Sequence, residues 1–226
     1  MILSQSTENY LKAIFELESE TGRALTGDLA ATLSVSPASV SGMLRRLTQA
    51  GHVRHVPYRG VSLSTAGRQA ALRVVRRHRV LETYLSAKLG YGWDSVHAEA
   101  ERLEHVVSDE MVERMAMALG NPSHDPHGAP IPGPEGEGPR LELTSLADVP
   151  PGEIAQVRLV SDNNPDLLRY LASLGLRLGA RCEVAARQPF RGPITLRLLG
   201  PPAREHVIGH ELASEVLCEV VPREAG

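Results

Sequence analysis

Glu101, Glu104 and His105 stand at i, i+3 and i+4 of a stretch that reads as one helix from about Asp94 to Leu119, so two carboxylates and an imidazole share a face. Such donors suit Mn2+, Fe2+, Zn2+ or Co2+, and with no thiolate or thioether beside them the balance moves toward the harder, oxygen-preferring ions. The helical stretch before it, Ala66 to about Leu89, offers His78 and Glu82 at i, i+4, while His97 lies one turn ahead of Glu101. Two antiparallel helices carrying these faces can close one or two metal sites between them. A single Glu- and His-rich helix face is usually only solvated, and it is the pairing of two that favours metal. A hydrolytic zinc site is disfavoured, because the inverted protease motif His-x-x-Glu-His has Glu at position 101 here.

A second constellation lies near the N-terminus. Ser36-Pro37 is a helix-opening pair, and Ala38, Ser39 and Ser41 follow it. In a helix-turn-helix the N-terminal side chains of the second helix reach base edges, while flanking cations hold phosphates. Small residues let this helix approach closely, but none of Ser36, Pro37, Ala38, Ser39 or Ser41 supplies a bidentate base contact, so DNA shape must contribute to specificity. Arg45 and Arg46 further along the helix, with Arg54, Tyr58 and Arg59 in a following hairpin, are placed for phosphate. The charge distribution agrees. Residues 1–80 hold eleven Lys/Arg against five Asp/Glu, and the remainder thirteen against twenty-two, which gives a basic end of +6 and an acidic end of −9 inside a chain of net charge −3. A protein-interaction module with solvated arginines is the competing reading of the same elements.

These residues need elements to position them. Apolar spacing predicts a first helix over residues 4–20, a second from Thr26 to Leu33, a turn at Ser34-Val35-Ser36 and a third helix to about Gln49, which Gly51 stops. His52–Val56 and Val61–Leu63 alternate as two short strands around Pro57–Gly60, the wing of a winged helix. After the two ligand-bearing helices, the segment to Pro139 is rich in Pro and Gly and poor in large apolar residues, which reads as a linker. Beyond Leu141 short strands dominate, at 154–160, 181–185, 194–198 and 216–221, with one helix at about Pro165–Leu174. The expected fold is mainly α with a small β part: a winged helix at 1–65, a helical region at 66–122, a linker at 123–140 and an SH3-like β-barrel at 141–226. Cys182 and Cys218 form no Cys-x-x-Cys pair and are expected to be buried small residues. No run approaches the roughly 18 apolar residues of a membrane span, and no secretory signal pattern opens the chain, so a cytoplasmic protein is expected.

Taken together, several segments resemble the diphtheria toxin repressor family of metal-dependent transcriptional regulators, and especially its manganese-responsive branch. They are Ser6–Leu11 with Ile14–Leu17, Leu63–Gly67, Arg77-His78-Arg79 with Glu82, Ala100–Ser108 and Pro126–Pro132. The resemblance implies a homodimer, an N-terminal winged helix, a helical region for dimerisation and metal binding, a C-terminal SH3-like domain and a metal corepressor. Carried over by position, it implies a primary metal site at Glu101, Glu104 and His105, with His78 nearby and a first-helix ligand falling at Asn9. Glu101 stands where iron-responsive members use Cys, which favours manganese. Members have Met or Asp where Asn9 stands here, so that ligand would bring no charge. For an ancillary site, Glu82 with Asp125, His127 and Asp162 follows the manganese type, and His78, Glu82 and His97 the iron type. Asp125 replaces a Cys of the manganese type.

The expectation is therefore a non-enzymatic repressor of metal-homeostasis genes that binds double-stranded DNA at a palindromic operator with Mn2+ or Fe2+ as corepressor. A metal-independent DNA-binding protein and, further off, a metal-dependent hydrolase are the alternatives.

Overall fold

The computed structural model describes residues 3–56, 60–133, 136, 142–200 and 203–222. The chain divides into two compact units, one made of Met1–Leu81, Ala100–Ser123 and Ile131–Gly138, the other of Glu82–Glu99, His124–Pro130 and Pro139–Gly226.

The first unit opens with α1 (Gln5–Thr21), which Ser4 caps by accepting from the Thr7 amide and Gly22 ends in the left-handed conformation at φ 71°. A short α2 (Thr26–Thr32) and a turn through Ser34, at φ 53°, lead into α3 (Pro37–Gln49). Ser36 caps α3 through the Ser39 amide, and Pro37 takes the first helical position, where its missing N–H costs nothing. Strands β1 (Val53–Val56) and β2 (Gly60–Leu63) pair antiparallel with Val53 opposite Leu63, which is the expected wing. Its turn, with Tyr58 and Arg59, lies outside the described residues. Gly60 is required there: at φ +78° a Cβ would stand 2.1 Å from the Ala24 carbonyl oxygen, the same oxygen that accepts from Val61 N. Leu11, Ile14, Leu29, Val40, Leu47, Val61 and Ala71 pack in one apolar core. That core leaves the polar face of α3 in solvent.

Helix α4 (Thr65–Leu89) starts directly after the wing, and α5 (Val96–Leu103) and α6 (Asp109–Ala118) follow. The single helix expected from Asp94 to Leu119 is thus two. Ser108 accepts from the Met111 amide and caps a new helix with Asp109 and Glu110 in its first turn, and this local capping breaks the run. Glu104 and His105 consequently sit in the turn just past α5, although Glu104 N still donates to the Ala100 carbonyl.

The second unit holds β3 (Thr144–Ser145), β4 (Ile154–Val160), α7 (Pro165–Leu174), β5 (Arg181–Arg187), β6 (Ile194–Leu198), β7 (Arg204–Ile208), α8 (His210–Ser214) and β8 (Val216–Val221). The strands form one antiparallel sheet in the order β3-β8-β4-β5-β6-β7. Leu168 and Leu171 of α7 pack in a core with Val157, Val184, Ile194 and Leu196. Cys182 and Cys218 are free and buried in that core, where burial pushes their thiols up to about 11 and about 12. The barrel expected from strand spacing is an open sheet among the described residues. Its two end strands, β3 and β7, do not pair with each other, and β3, only two residues long, offers too short a ladder for closure. No helix among the described residues is long and apolar enough to cross a membrane.

Candidate metal centres and nucleic-acid interface

In the first unit, α1, α4 and the end of α5 bring polar groups together. Lys12 Nζ donates to Glu101 Oε1 at 2.6 Å and to Glu104 Oε2 at 2.9 Å, and lies 3.2 Å from His78 Nδ1. His78 Nδ1 is 2.6 Å from the same Glu104 oxygen. One ring nitrogen cannot donate to Glu104 and accept from Lys12 at once, and the shorter contact is the donation. Glu104 is fully buried, and Lys12 and His78 nearly so. Burial alone raises the Glu104 carboxyl, but the His78 hydrogen bond and the Lys12 charge outweigh it and hold the pKa below the usual range. Burial likewise opposes the Lys12 charge, and Glu104, Glu16 and Glu101 overcome it, so the ammonium is more basic than an ordinary lysine.

One turn before Lys12, Glu8 Oε2 meets His105 Nδ1 at 2.7 Å and its other oxygen receives Arg77. Arg77 also donates to the Glu104 carbonyl and to Asp109. Thus His78, Glu101 and Glu104 come together, with ligand atoms within 4.8 Å of one another, and His105 Nε2 lies 3.2 Å from Glu104 Oε1. Asn9, the first-helix ligand implied by resemblance, is half-buried, and its Oδ1 has no hydrogen-bond partner among the described residues. The α1 side chains that contact the α5 cluster are Glu8 and Lys12, which the sequence reading passed over. Their i, i+4 spacing on a helix already facing an acidic cluster was the available signal.

The second unit assembles another set. Glu82 on α4 and Asp162 after β4 both approach His97 Nδ1 on α5, each at 3.2 Å. His127 Nδ1 stands 3.8 Å from Glu82 Oε1 and from Asp162 Oδ2, too far for a hydrogen bond to either. Its other nitrogen, Nε2, is 2.8 Å from the Trp93 carbonyl oxygen, which can only accept. Nε2 therefore carries a proton; burial opposes a second one on Nδ1, but Glu82 and Asp162 outweigh it and raise the His127 pKa, so a divalent ion at Nδ1 would compete with a proton for its lone pair. Asp125 Oδ1 accepts from the amides of His127 and Ala129, and Glu82, Asp125 and His127 offer ligand atoms within 4.8 Å of one another.

Composition placed Ser123–Pro132 in a linker, yet its centre is a fixed loop. His127 is 1% exposed, its carbonyl accepts from Val160 N, and its ring stacks on Trp93 at 6.0 Å. Gly128 sets the tight approach: at φ +95° a Cβ would stand 1.9 Å from the Arg158 carbonyl oxygen. Gly128→Ala should therefore displace the loop and cost about 1–3 kcal/mol of stability. Urea denaturation and a metal titration measure this, and an unchanged midpoint with unchanged affinity would show that the loop's fit does not matter.

Burial lowers the His97 pKa, but hydrogen bonds and charge from Asp162 and Glu82 outweigh it and raise it to about 10. A pKa raised on folding stabilises fully below the ordinary value, about 6.5, and that contribution is lost as pH rises through the folded value. Metal-free protein should therefore lose stability between about pH 6.5 and 10 more steeply than His97→Gln does. Parallel thermal melts of the two would contradict it if their pH slopes coincide.

On α3 the side chains of Ser36, Pro37, Ala38, Ser39, Ser41, Arg45 and Arg46 are exposed, while Val40, Met43, Leu44 and Leu47 are buried. The polar face expected to read DNA is therefore free to do so. Ser36 Oγ is engaged with the Ser39 amide and hydroxyl, and Ser41 Oγ donates to the Pro37 carbonyl, so Ser41 keeps acceptor capacity for a base amino group, while a phosphate contact would need its hydroxyl to turn from Pro37.

Comparison with known proteins agrees across the whole chain. Residues 2–61 match the iron dependent repressor N-terminal DNA binding domain, 64–133 the iron dependent repressor metal binding and dimerisation domain, and 144–220 the FeoA domain. The iron-dependent repressor IdeR of Mycobacterium leprae is 32% identical over 232 residues, covering 97% of this chain and 99% of that protein. The diphtheria toxin repressor of Corynebacterium diphtheriae is 33% identical over 86% of this chain and 89% of its own length. A solved manganese-dependent transcriptional repressor in complex with manganese superposes with a TM-score of 0.91 at 38% identity, covering 95% of this chain and all of that one. Identity at this level, sustained from the DNA-binding domain through the FeoA domain, makes this chain a member of the diphtheria toxin repressor family of metal-dependent, DNA-binding transcriptional repressors.

Proposed function

We propose that the protein is a manganese-responsive repressor, with Fe2+ as the second metal, acting as a homodimer on a palindromic operator. The observation that carries the metal reading is His127, whose Nδ1 is buried without a hydrogen-bond partner among the described residues and faces Glu82 and Asp162 at 3.8 Å. The donors gathered around Glu82 fit a hard divalent ion: Glu82, Asp125 and His127 offer ligand atoms within 4.8 Å of one another, His97 approaches Glu82 and Asp162, and no thiolate is among them. A bound divalent ion supplies positive charge that offsets the mutual repulsion of these carboxylates. Trp93 fixes the His127 tautomer, and Asp125 and Gly128 hold the loop that carries it. The Glu101, Glu104, His105 and His78 cluster, with Asn9 as the first-helix ligand that the resemblance implies, is the other candidate position.

Glu82 lies on α4, the helix that follows the wing after Ser64, so ordering Glu82 restrains the helix leading out of the DNA-reading domain. In a dimer two such helices set the spacing of two recognition helices, and metal shifts the population toward the spacing that suits two half-sites. Within this reading residues 1–65 bind DNA, 66–122 dimerise and hold metal, 123–140 connect, and 141–226 complete the second cluster through Asp162. Arg45 and Arg46 hold phosphate, with Tyr58 and Arg59 assigned the same role from their place in the wing sequence.

The test is to select bound duplexes from a random pool in the presence of Mn2+ and then titrate the winning sequence by fluorescence anisotropy with Mn2+, with anaerobic Fe2+, and without metal. Tighter binding with Mn2+ to a two-fold symmetric sequence is expected. Equal affinity in all three conditions would establish a metal-independent DNA-binding protein instead.

A further inference from the structure

We infer that Lys12 is a tethered internal cation that takes the place of a divalent ion in the His78–Glu101–Glu104 cluster, so that α1 is tied to α5 without metal and the metal response resides in the cluster around Glu82. This rests on the metal-dependent reading above and narrows it to one of two clusters.

The geometry is that of a cation held between two carboxylates. Nζ sits 2.6 Å and 2.9 Å from oxygens that belong to different residues, while His78 Nδ1, 3.2 Å away, donates to Glu104 and is no ligand of the ammonium. An ammonium donates only, so it satisfies carboxylates much as a metal does, but its single charge is fixed to α1 by a covalent stem. Lys12 is 7% exposed and Glu104 fully buried, so little solvent screens that pair, whereas the Glu101 carboxylate is partly open to solvent. The raised Lys12 pKa is consistent with an ammonium that stays charged at neutral pH.

A divalent ion bound to the same two carboxylates would lie close to that ammonium and repel it, and two carboxylates already share one positive charge. For metal to enter between the two carboxylates, Lys12 must break its contacts with both. Glu8 meets His105 one turn away on the same helix, so α1 contacts the end of α5 at two points through side chains of its own. Asn9 lies between these two contact positions in sequence and brings no charge of its own.

The experiment is Mn2+ stoichiometry on the full-length protein by equilibrium dialysis and elemental analysis, for wild type, Glu82→Gln, Glu104→Gln and Lys12→Ala. The expected result is one Mn2+ per chain in wild type, lost in Glu82→Gln, retained in Glu104→Gln, and rising to two in Lys12→Ala. Two ions per wild-type chain, falling to one in Glu104→Gln, would overturn the inference by showing that metal displaces the ammonium. One ion lost in Glu104→Gln but kept in Glu82→Gln would overturn it equally. No bound Mn2+ in wild type would instead sink the metal-dependent reading on which it rests. Should Lys12→Ala fail to fold, the two carboxylate variants in the wild-type background decide the question alone.

Discussion

Replacing Glu82 by Gln is expected to weaken Mn2+ binding by more than about 100-fold, since groups that merely orient metal ligands are already worth roughly 10–100-fold. Glu82 is fully buried and approaches both His97 and His127, so one oxygen-for-amide change removes a charge from the centre of the cluster at almost constant volume. The consequence for function is specific. Operator binding in Glu82→Gln should no longer respond to Mn2+, while its metal-free affinity stays that of the wild type. His127→Ala should behave alike, because it deletes the Nδ1 donor. Calorimetric titration with Mn2+ followed by anisotropy on operator DNA checks both steps, and a Mn2+-dependent tightening that survives in both variants would place the sensor elsewhere.

Lys12→Met should destabilise the metal-free protein by about 3–5 kcal/mol, the range for breaking a buried ion pair and leaving its partner charged. Glu104 is the group left behind, with no exposed surface through which water could compensate. Added Mn2+ should restore much of the loss in Lys12→Met, because the vacated space again needs a cation, and stability gained through binding rises with ligand concentration. Lys12→Arg keeps the charge and should fall between the two. Urea denaturation with and without Mn2+ measures all three proteins. A Lys12→Met protein as stable as wild type would mean that the two carboxylates do not depend on Lys12.

Much of this architecture was legible because local rules and packing agree. Ser36-Pro37, the apolar positions Val40, Met43, Leu44 and Leu47, and the alternation in the wing all act within a few residues, and the elements form where those rules put them. The break between α5 and α6 was a competition between continuous apolar spacing and the cap at Ser108, and the cap prevailed. The barrel was misjudged because strand spacing records that strands exist, not whether the first and last of them meet; β3 is too short to register as a strand at all.

The metal ligands were found through helix spacing and resemblance, yet their grouping depends on long-range contacts that spacing does not encode. His127 and Asp125 lie in a stretch whose Pro and Gly content suggests no structure, and they are fixed only because Asp125 gathers two amides and Gly128 passes close to Arg158. Asn9 was chosen by position, while Glu8 and Lys12, flanking it in sequence, make the contacts to the α5 cluster. A lysine in an acidic cluster reads from sequence as an ordinary surface ion pair. Only burial distinguishes it from a cation held in place of metal.

The most direct measurement is a crystal structure grown with Mn2+ and an anomalous difference map recorded at the manganese edge. The account predicts one strong peak per chain, coordinated by His127 Nδ1 and the carboxylates of Glu82 and Asp162, with Lys12 Nζ still on Glu101 and Glu104. A peak between Glu101 and Glu104 with Lys12 turned away, or no peak at His127, would contradict it.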